Sequence, residues 1–393
     1  MSDLHVLIAG GGIGGLCLGQ HLKKAGISFS IYEREDEVSK NGYRLHMNMD
    51  GGESLRAALP ENLYELYVQT SRKNPRREMA VLIDEQMNEI GVRPHIGAPN
   101  DEKFPHTAVN RKTLCQILLS GIEKHVHFNS AVTGFEQDKQ GVTLFLADGT
   151  VAKGDILVAA DGINSAVRYQ LMPHVQPIDT NSRAIYSKSP LTKEIRQTLP
   201  DILFDGFIMA ADSNDTIMAI GPFEPRRSVA DTAKELAPKS TIEPVDDYVM
   251  ITLGIPQYIS ASDRESPLKL HQMMVDLTKD WHPILRGLVE RIDPHTVAAL
   301  SVRAIEPIDP WETSRVTLIG DAIHAMPPSF GAGANLALRD ARILAEQIVT
   351  VHKQKADVYN AISQYEKAMR AYDYPIFEMS ANQNEARKFN KTH

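Results

Sequence analysis

The sequence contains very little cysteine and tryptophan. Only two cysteines occur in 393 residues, Cys17 and Cys115, and they form neither a CxxC pair nor a cluster with histidine. A disulfide framework and a cysteine-based structural metal site are therefore excluded. We predict no metal site, and we expect a reducing compartment, the cytoplasm.

The chain also lacks positive charge and long apolar runs. Lysine and arginine number 42 against 50 aspartates and glutamates, which gives a formal net charge of -8. No global positive field draws such a chain to nucleic acid or anionic lipid. No apolar run approaches the roughly 20 residues of a membrane-spanning helix. We therefore predict no nucleic-acid partner and no membrane span, and we expect the chain to begin directly in folded structure.

A chain of this length suits two domains, or one domain with a large insertion, rather than a single compact core. With 42% hydrophobic and 23% charged residues, its composition is that of an ordinary globular protein.

A glycine-rich turn follows the first predicted strand. Residues 4–9 form an apolar run, and Gly10-x-Gly12-x-x-Gly15 then leads into a helical pattern. Gly10 permits the tight turn, Gly12 lets the backbone approach a pyrophosphate, and Gly15 allows close packing of helix on strand. Glu33 ends the next predicted strand, where it can accept hydrogen bonds from an adenosine ribose. The pattern predicts dinucleotide binding; the alternative is a glycine turn without a ligand.

A second acid follows a strand predicted over 156–160, in the motif Asp161-Gly162-x-x-Ser165-x-x-Arg168. An acid at the carboxyl end of a parallel strand lies where ligands collect. The alternative is an Asp-Gly turn followed by a helix that Asn164 or Ser165 caps.

A third apolar strand, predicted over 316–319, leads into Gly320-Asp321-Ala322-x-His324-x-x-Pro327. The chain continues as Gly331-Ala332-Gly333-Ala334-Asn335 into a helix predicted over 336–349. Backbone N–H groups at the start of that helix would offer positive potential to an electron-rich ring. For His324 we favour a packed, hydrogen-bonded histidine over an acid–base role, and for the prolines a rigid loop.

The middle third of the chain is rich in strand patterns. Runs at 207–211, 216–220 and 248–255 are separated by polar turns, which predicts a separate, mostly antiparallel sheet with one covered face. Alternation places Phe207 and Met209 on the same face of their strand.

Shorter patterns complete the prediction. Two strand-like runs lie within 77–96, and 126–151 has the alternation of an antiparallel meander. The tail beyond Ala356 is predicted to be helical, with Pro375 as its main break.

In this order and spacing, the three motifs resemble those of the class A flavoprotein monooxygenases of the para-hydroxybenzoate hydroxylase type. They span nearly the whole chain. The stretch 184–192, with Leu199-Pro200 downstream, is similar to the branch that contains fungal and actinobacterial enzymes of secondary metabolism. The resemblance implies an α/β fold: a Rossmann-like FAD-binding domain, an inserted, mostly antiparallel β-sheet substrate domain, and C-terminal helices.

The domain limits that we predict follow these patterns. The discontinuous FAD-binding domain covers 1–72, 98–172 and 270–350. The substrate-binding sheet covers 73–97 and 173–269, and the C-terminal helical segment covers 351–393.

The resemblance also implies contacts to FAD. The glycine turn and Glu33 would hold the ADP half, Asp321 the ribitol, and the loop from Pro327 to Asn335 the isoalloxazine. Asp161 would serve both FAD and NAD(P)H. The predicted cofactor-binding set is Gly10, Gly12, Ile13, Gly14, Gly15, Glu33, Arg34, Arg44, Arg111, Asp161, Gly162, Gly320, Asp321, Pro327, Gly331, Gly333, Ala334 and Asn335.

For the reaction, the resemblance implies that NAD(P)H reduces FAD and that dioxygen then forms a flavin 4a-hydroperoxide. Its distal oxygen would hydroxylate or epoxidise an aromatic or polyene small molecule. A non-oxygenating flavoprotein reductase or dehydrogenase on the same scaffold, and a non-catalytic flavin carrier, remain alternatives. We expect a monomer or a homodimer.

No GxSxG, Walker A or HExxH pattern occurs in the sequence. Arg183, Tyr186 and His46 are weak candidates for polarising a phenol or orienting a carbonyl. For each of them an exposed salt bridge or a packing role is the alternative, so we assign no catalytic side chain.

Overall fold

The computed structural model describes residues 4–38, 42–95, 100–256, 265–328 and 331–389, with side-chain burial described as far as residue 381. Within these ranges the strands, in chain order, are β1 (His5–Ala9), β2 (Ser28–Tyr32), β3 (Arg44–Met47), β4 (Ala80–Asp84), β5 (Glu89–Arg93), β6 (Thr107–Asn110), β7 (Val126–His127), β8 (Val132–Gln137), β9 (Val142–Leu146), β10 (Val151–Gly154), β11 (Ile156–Ala159), β12 (Ile178–Pro190), β13 (Phe207–Ala211), β14 (Ile217–Phe223), β15 (Tyr248–Ile255), β16 (Ala298–Ala304) and β17 (Val316–Leu318).

The helices over the same ranges are α1 (Ile13–Ala25), α2 (Met49–Ala58), α3 (Glu61–Thr70), α4 (Arg111–Leu119), α5 (Ala166–Leu171), α6 (Lys193–Thr198), α7 (Val229–Leu236), α8 (Pro267–Leu277), α9 (Pro283–Glu290), α10 (Asp321–His324), α11 (Gly333–Gln354) and α12 (Val358–Phe389). None of these described helices is both long enough and apolar enough to cross a bilayer.

The three sequence motifs share one sheet. Among the described strands, five pair in the order β17-β11-β1-β2-β7, and every pairing is parallel. In the register, Ala9 is opposite Ala159, and Ala159 is opposite Leu318. Three strands therefore end at the same level, and the residues that follow them meet at one edge.

The central strands are apolar throughout because both faces of this sheet are covered. Val6, Leu7, Ile8 and Ala9 are completely buried. Helices α1 and α11 pack against each other beside the sheet, and the antiparallel sheet β10-β9-β8 lies next to β1. The predicted meander is thus confirmed for β8 to β10, whereas β7, at the start of the predicted range, pairs in parallel with β2. The alternation in the meander reflects its one covered face.

A second sheet has the order β16-β12-β15-β14-β13-β4-β5 in the described chain. All its pairings are antiparallel except that of β13 with β4. One face packs on α8 and α9 in a separate core that includes Ile208, Ile220 and Leu285. Phe207 and Met209 point to the other face, which is turned toward β3. On the neighbouring strand β14, a Cβ at Gly221 would lie 2.9 Å from the side chain of Arg44 in β3.

The expected helix break at Pro375 is wrong, because α12 continues through that residue. Pro375 is exposed and removes one backbone donor, while buried neighbours on the inner face, Tyr365, Met369, Ile376 and Phe377, hold the helix against the rest of the chain. Packing of the apolar face outweighs the loss of one hydrogen bond.

Candidate functional site

The turn after β1 is so tight that two of its glycines admit no side chain. Gly10 has φ +104°, and a Cβ there would lie 2.3 Å from the carbonyl oxygen of Ala160. A Cβ at Gly15 would lie 2.1 Å from the carbonyl oxygen of Gly10. At Gly12, by contrast, no described atom lies within 4 Å of the Cβ position. The turn is therefore packed on one side and open on the other, where a ligand can approach the backbone.

The open side of this turn carries positive potential. Helix α1 begins after Gly12 with neither a side-chain cap nor a first-turn acid among the described residues, so its first N–H groups are available to an anion. Glu33 lies beside them, and its carboxylate accepts hydrogen bonds from the N–H groups of Gly11 at 2.6 Å and Glu35 at 2.9 Å. Arg34 is exposed and pairs with Glu35 at 3.3 Å.

A second helix N-terminus lies next to the first. Gly14 is buried in the first turn of α1, and a Cβ there would lie 3.4 Å from the carbonyl oxygen of Ala337 in α11. Helix α11 also begins with neither a described side-chain cap nor a first-turn acid. Ile13 packs into the core beside this crossing. Two positive helix ends therefore lie together at the sheet edge.

Asp161 follows β11 at the same edge. Its carboxylate accepts a hydrogen bond from the N–H of Ala166 at 3.0 Å, and burial raises its pKa. Ser165 caps α5 by accepting from the N–H of Arg168 at 2.9 Å. The capped helix is confirmed, with Ser165 rather than Asn164 as the cap. A role of Asp161 toward a ligand stays a prediction, as does that of Gly162 in the turn, where φ is +76°.

Asp321 follows β17 at the same edge, as the first residue of α10. We call the space that the three motifs border at this edge the cleft. Its side chain is exposed to solvent, although protein atoms surround part of the carboxylate. Burial raises its pKa, which His324 and Arg111 act to lower. Its Oδ1 atom lies 3.6 Å from the position of a Cβ at Gly333, so the carboxylate faces the first turn of α11. Gly320, before it, takes φ +59°.

Arg111 interacts electrostatically with both carboxylates that are predicted to hold FAD, Glu33 and Asp321. Its guanidinium lies 5.5 Å from the centre of the Tyr43 ring. Burial lowers its pKa, but the combined effect of Cys115, Tyr43, Asp321 and Glu33 raises the pKa above its ordinary value. One half-buried arginine therefore interacts with carboxylates from both ends of the sequence.

Asn335 ties the loop before α11 to strand β3. Its side-chain amide donates to the carbonyl oxygens of His46 at 2.9 Å and Gly331 at 3.0 Å. Its Oδ1 atom accepts from the N–H of Asn48 at 3.0 Å. Ala334, beside it, is half-buried, and the carbonyl of Pro327 accepts from the hydroxyl of Ser380, which anchors the loop to α12. Residues 329–330 of the predicted flavin loop lie outside the described residues.

A cluster of buried charged residues packs against the third motif. The sequence did not predict this cluster. His324 Nε2 lies 2.7 Å from Asp340 and 3.3 Å from Asp373, and Arg339 lies 3.7 Å from Asp373. Asp340 also accepts from the N–H of Gly320 at 2.8 Å. Burial acts to lower the pKa of His324, but the two carboxylates raise it to about 9. His324 is thus packed and hydrogen-bonded, as predicted.

Arg168 is a second residue whose role was missed. It is fully buried, and its guanidinium donates to the carbonyl oxygens of Ala322 at 2.9 Å, Ile163 at 2.8 Å and Val175 at 3.4 Å. This arginine therefore holds the second and third motifs together. Arg168 is the last residue of the second motif, so the sequence did point to it. Its hydrogen-bond partners are backbone carbonyls, however, and a sequence does not show which carbonyls a side chain reaches.

The three weak catalytic candidates lie in different surroundings. Arg183 forms a two-point ion pair with Asp179 at 2.8 and 2.7 Å, which matches the salt-bridge alternative. Tyr186 packs edge-on against Tyr43, with ring centres 5.6 Å apart, and burial raises its pKa. His46 lies beside Gly331: a Cβ placed on Gly331 would lie 3.0 Å from the Cβ of His46. Of the three, His46 and Tyr186 are near the cleft.

The residues present fit FAD. Gly12 leaves an open approach to the backbone, and two helix ends that have no cap among the described residues suit phosphate. Glu33 and Asp321 are carboxylates, the kind of group that accepts hydrogen bonds from hydroxyl groups, and their assignment to the ribose and the ribitol stays a prediction. Arg111 supplies positive charge between them.

Comparison with known proteins agrees with this fit. The family model described as "FAD binding domain" matches residues 3–372. A Cercospora beticola protein named dual O-methyltransferase/FAD-dependent monooxygenase CTB3 is 32% identical over 93% of this chain and 44% of its own length. The chain thus spans less than half of the Cercospora proteins that it matches.

Two further matches cover more of the other protein. An FAD-dependent urate hydroxylase of Klebsiella oxytoca is 24% identical over 92% of this chain and 85% of its own length. A solved structure described as an FAD-containing monooxygenase of Photorhabdus luminescens superposes with a TM-score of 0.85 at 27% identity, and each chain is covered completely. The α/β fold predicted above is confirmed by these matches.

The charge cluster predicts a pH-dependent stability. The pKa of His324 in the folded protein, about 9, lies above the usual value of 6.5. The charged histidine therefore adds fully to the free energy of unfolding below pH 6.5, and this stabilisation is lost as pH rises toward 9. We expect His324→Gln to lower the free energy of unfolding by roughly 2–4 kcal/mol at pH 6 and by much less at pH 9.5. Urea unfolding at both pH values measures this.

The exposed His174 provides a matched control. We expect His174→Gln to change the free energy of unfolding only slightly, and by the same amount at both pH values. If the loss of unfolding free energy in His324→Gln stayed constant or grew from pH 6 to pH 9.5, the assignment of a charged histidine would be contradicted.

Proposed function

The chain belongs to the FAD-binding-domain family, and from that membership we propose that it is an FAD-dependent monooxygenase. It uses NAD(P)H and dioxygen to hydroxylate or epoxidise an aromatic or polyunsaturated small molecule. The observation that supports this most is the meeting of the Gly10 turn, Asp161 and Asp321 at one sheet edge beside two uncapped helix ends. The names of the Cercospora and Klebsiella relatives support the same activity.

FAD, when bound, supplies hydride acceptance and the activation of dioxygen, which no amino-acid side chain provides. The chain supplies position and polarity. Backbone N–H groups at the starts of α1 and α11, with Arg111, would hold negative charge on the cofactor. Glu33 and Asp321 would accept hydrogen bonds from its hydroxyl groups. Asn335 would fix the loop that flanks the ring, since it binds the Gly331 carbonyl in that loop and the backbone of His46 and Asn48 at β3.

The inner face of the seven-stranded sheet would cover the ring and exclude water. Phe223, Tyr248 and Met250 form an apolar patch there, against which Tyr186 and Phe207 pack. Exclusion of water matters because a reactive oxygen donor is wasted when water reaches it. The sheet residues therefore act by shape and polarity, and we assign none of them a proton-transfer role.

We further propose that the protein works in the cytoplasm, in secondary metabolism, as a monomer or homodimer. Both cysteines are buried and neither forms a disulfide within the described chain, which suits a reducing compartment. The two sheets would form the FAD-binding and substrate-binding domains. The second sheet extends to β16, beyond the predicted limit at residue 269, so its covering helices would belong to the substrate domain.

The ribitol assignment predicts the effect of one substitution. Asp321→Ala removes a charged acceptor, which is typically worth about 1.5–3 kcal/mol, so the Kd for FAD should rise by roughly 10- to 150-fold. Flavin fluorescence titration of the apoprotein measures the Kd. Glu312→Ala, which removes an exposed acid away from the cleft, serves as the control and should bind like the parent. Equal affinity in Asp321→Ala would count against the assignment.

The activity is tested with isotopically labelled dioxygen. The FAD-loaded protein is screened with phenols and polyenes for stimulated NAD(P)H oxidation, and products of active compounds are analysed by mass spectrometry. We expect one labelled oxygen atom per product molecule. Gly15→Val, whose side chain collides with Gly10, serves as the cofactor-free control and should oxidise nothing. An unlabelled oxidised product would favour the reductase or dehydrogenase alternative.

A further inference from the structure

The second half of α12, residues 372–380, packs against the loop before α11. We call residues 326–328 the first loop flank and residues 331–336 the second, and together they contain Pro327 and Asn335 of the predicted flavin contacts. Four residues of this half of α12 are at most 8% exposed, namely Asp373, Ile376, Phe377 and Ser380. They recur every three or four residues, so one face of the helix is turned toward the chain.

Ile376 joins α12 to both flanks through apolar contacts. Together with Ala332 and Leu336 of the second flank it forms a small buried cluster. Met326 of the first flank and Tyr372 of α12 pack against this cluster. The helix therefore supports both flanks through one set of apolar contacts.

Ser380 is the polar anchor of the first flank. It is only 1% exposed, and its hydroxyl donates to the carbonyl oxygen of Pro327 at 3.0 Å. Pro327 and Pro328 have no backbone N–H group, and their rings fix φ, so a displacement of one proline moves the other with it. The position of the first flank therefore depends on one buried hydroxyl group more than on hydrogen bonds of its own backbone.

The two flanks are held differently. Asn335 fixes the second flank to β3, because its side chain binds backbone groups of His46 and Asn48. At the two prolines of the first flank, the described hydrogen bonds are one from Ser380 and one within the loop. Loss of the Ser380 hydroxyl should therefore displace the first flank more than the second.

The second half of α12 has its own attachments to the rest of the chain. Tyr372 donates to the carboxylate of Asp50 in α2 at 3.0 and 3.1 Å, and the guanidinium of Arg339 lies 3.8 Å from the centre of its ring. Asp373 lies 3.3 Å from His324. These contacts do not involve the flanks, so a change at Ser380 should leave the helix in place.

We propose that Ser380 is a positioning residue of the proposed monooxygenase: through Pro327 it holds the first flank against the ring of bound FAD and keeps water from the ring. Ser380 itself is not among the residues predicted to touch the cofactor. Water that reaches the site wastes the reactive oxygen donor. This proposal rests on the proposed function, and it assigns a residue that controls how completely oxygen reaches the substrate.

The exposure of the bound ring is measured without turnover. Acrylamide, a neutral quencher, is titrated into the FAD-loaded full chain, and the quenching constant of the bound flavin fluorescence reports how far the ring is exposed. We expect Ser380→Ala to raise this constant by about twofold or more, because the Pro327 carbonyl loses its donor. Met379→Ala, which shortens the exposed neighbour of Ser380, should leave it unchanged. Equal constants in the parent and Ser380→Ala would overturn the proposal.

A pair of variants separates the hydrogen bond from packing. Ser380→Thr and Ser380→Val introduce side chains of nearly the same shape, but only threonine keeps a hydroxyl group. We expect Ser380→Thr to remain closer to the parent, and Ser380→Val to have the larger quenching constant. Equal constants in these two variants would contradict the role of the hydroxyl.

Turnover with an active compound from the labelled-dioxygen screen gives a second readout. In coupled turnover NAD(P)H, a proton and dioxygen yield NAD(P)+, one oxygen atom in the product and one water molecule. In uncoupled turnover the same reactants yield NAD(P)+ and hydrogen peroxide. We expect the share of NAD(P)H oxidation that ends as peroxide to rise by about twofold or more in Ser380→Ala. A lower free energy of unfolding in urea with an unchanged peroxide share would make Ser380 purely structural and overturn the proposal.

Failure of the proposed function gives a different result. A protein that shows the quenching difference but incorporates no labelled oxygen keeps the role of Ser380 and loses the monooxygenase activity. If the chain binds no FAD, hydrogen exchange at Met326 and residues 331–336 of the full chain tests the anchor alone. Faster exchange at Met326 in Ser380→Ala than in Met379→Ala supports the anchor, and equal exchange overturns it.

Discussion

The structure depends on the common level at which three parallel strands end. The register that sets Ala9 against Ala159 and Ala159 against Leu318 brings the segments after them to one edge. The approach is so close that the Gly10 turn has no room for a Cβ beside Ala160. Parallel pairing provides this convergence, because all its strands deliver their carboxyl ends to the same side. A one-residue slip in any of them would displace a motif from the site.

That convergence also determines the electrostatics of the cleft. Two helices begin at the edge without a side-chain cap from the described part of the chain, so positive potential is available on one side. Asp161, Asp321 and Glu33 provide negative charge on the other, and Arg111 interacts with the last two. Below them, Arg168 and the cluster of His324, Asp340 and Asp373 hold the loops in place. The cleft is thus polar and preorganised, and its support is buried.

Much of this arrangement could be predicted from the sequence, because local patterns encode it. The apolar runs before each motif, the glycines of the first turn and the meander are all short-range signals. Strand β12 was not recognised, since its polar residues hide the alternation over Ile178–Pro190. The charge cluster and a group of three neighbouring imidazoles could not be predicted either. His46, His95 and His106 come from separate segments, and only packing of β3, β6 and the loop after β5 brings them together. The cofactor contacts and the domain limits stay predictions.

Hydrogen exchange of the apoprotein and the FAD-loaded protein tests the convergence most directly. Our account predicts that FAD slows backbone exchange together in three separate stretches, around residues 10–15, 161–165 and 320–335, with one concentration dependence for all three. Protection confined to the first stretch, with the other two unchanged at saturating FAD, would contradict it.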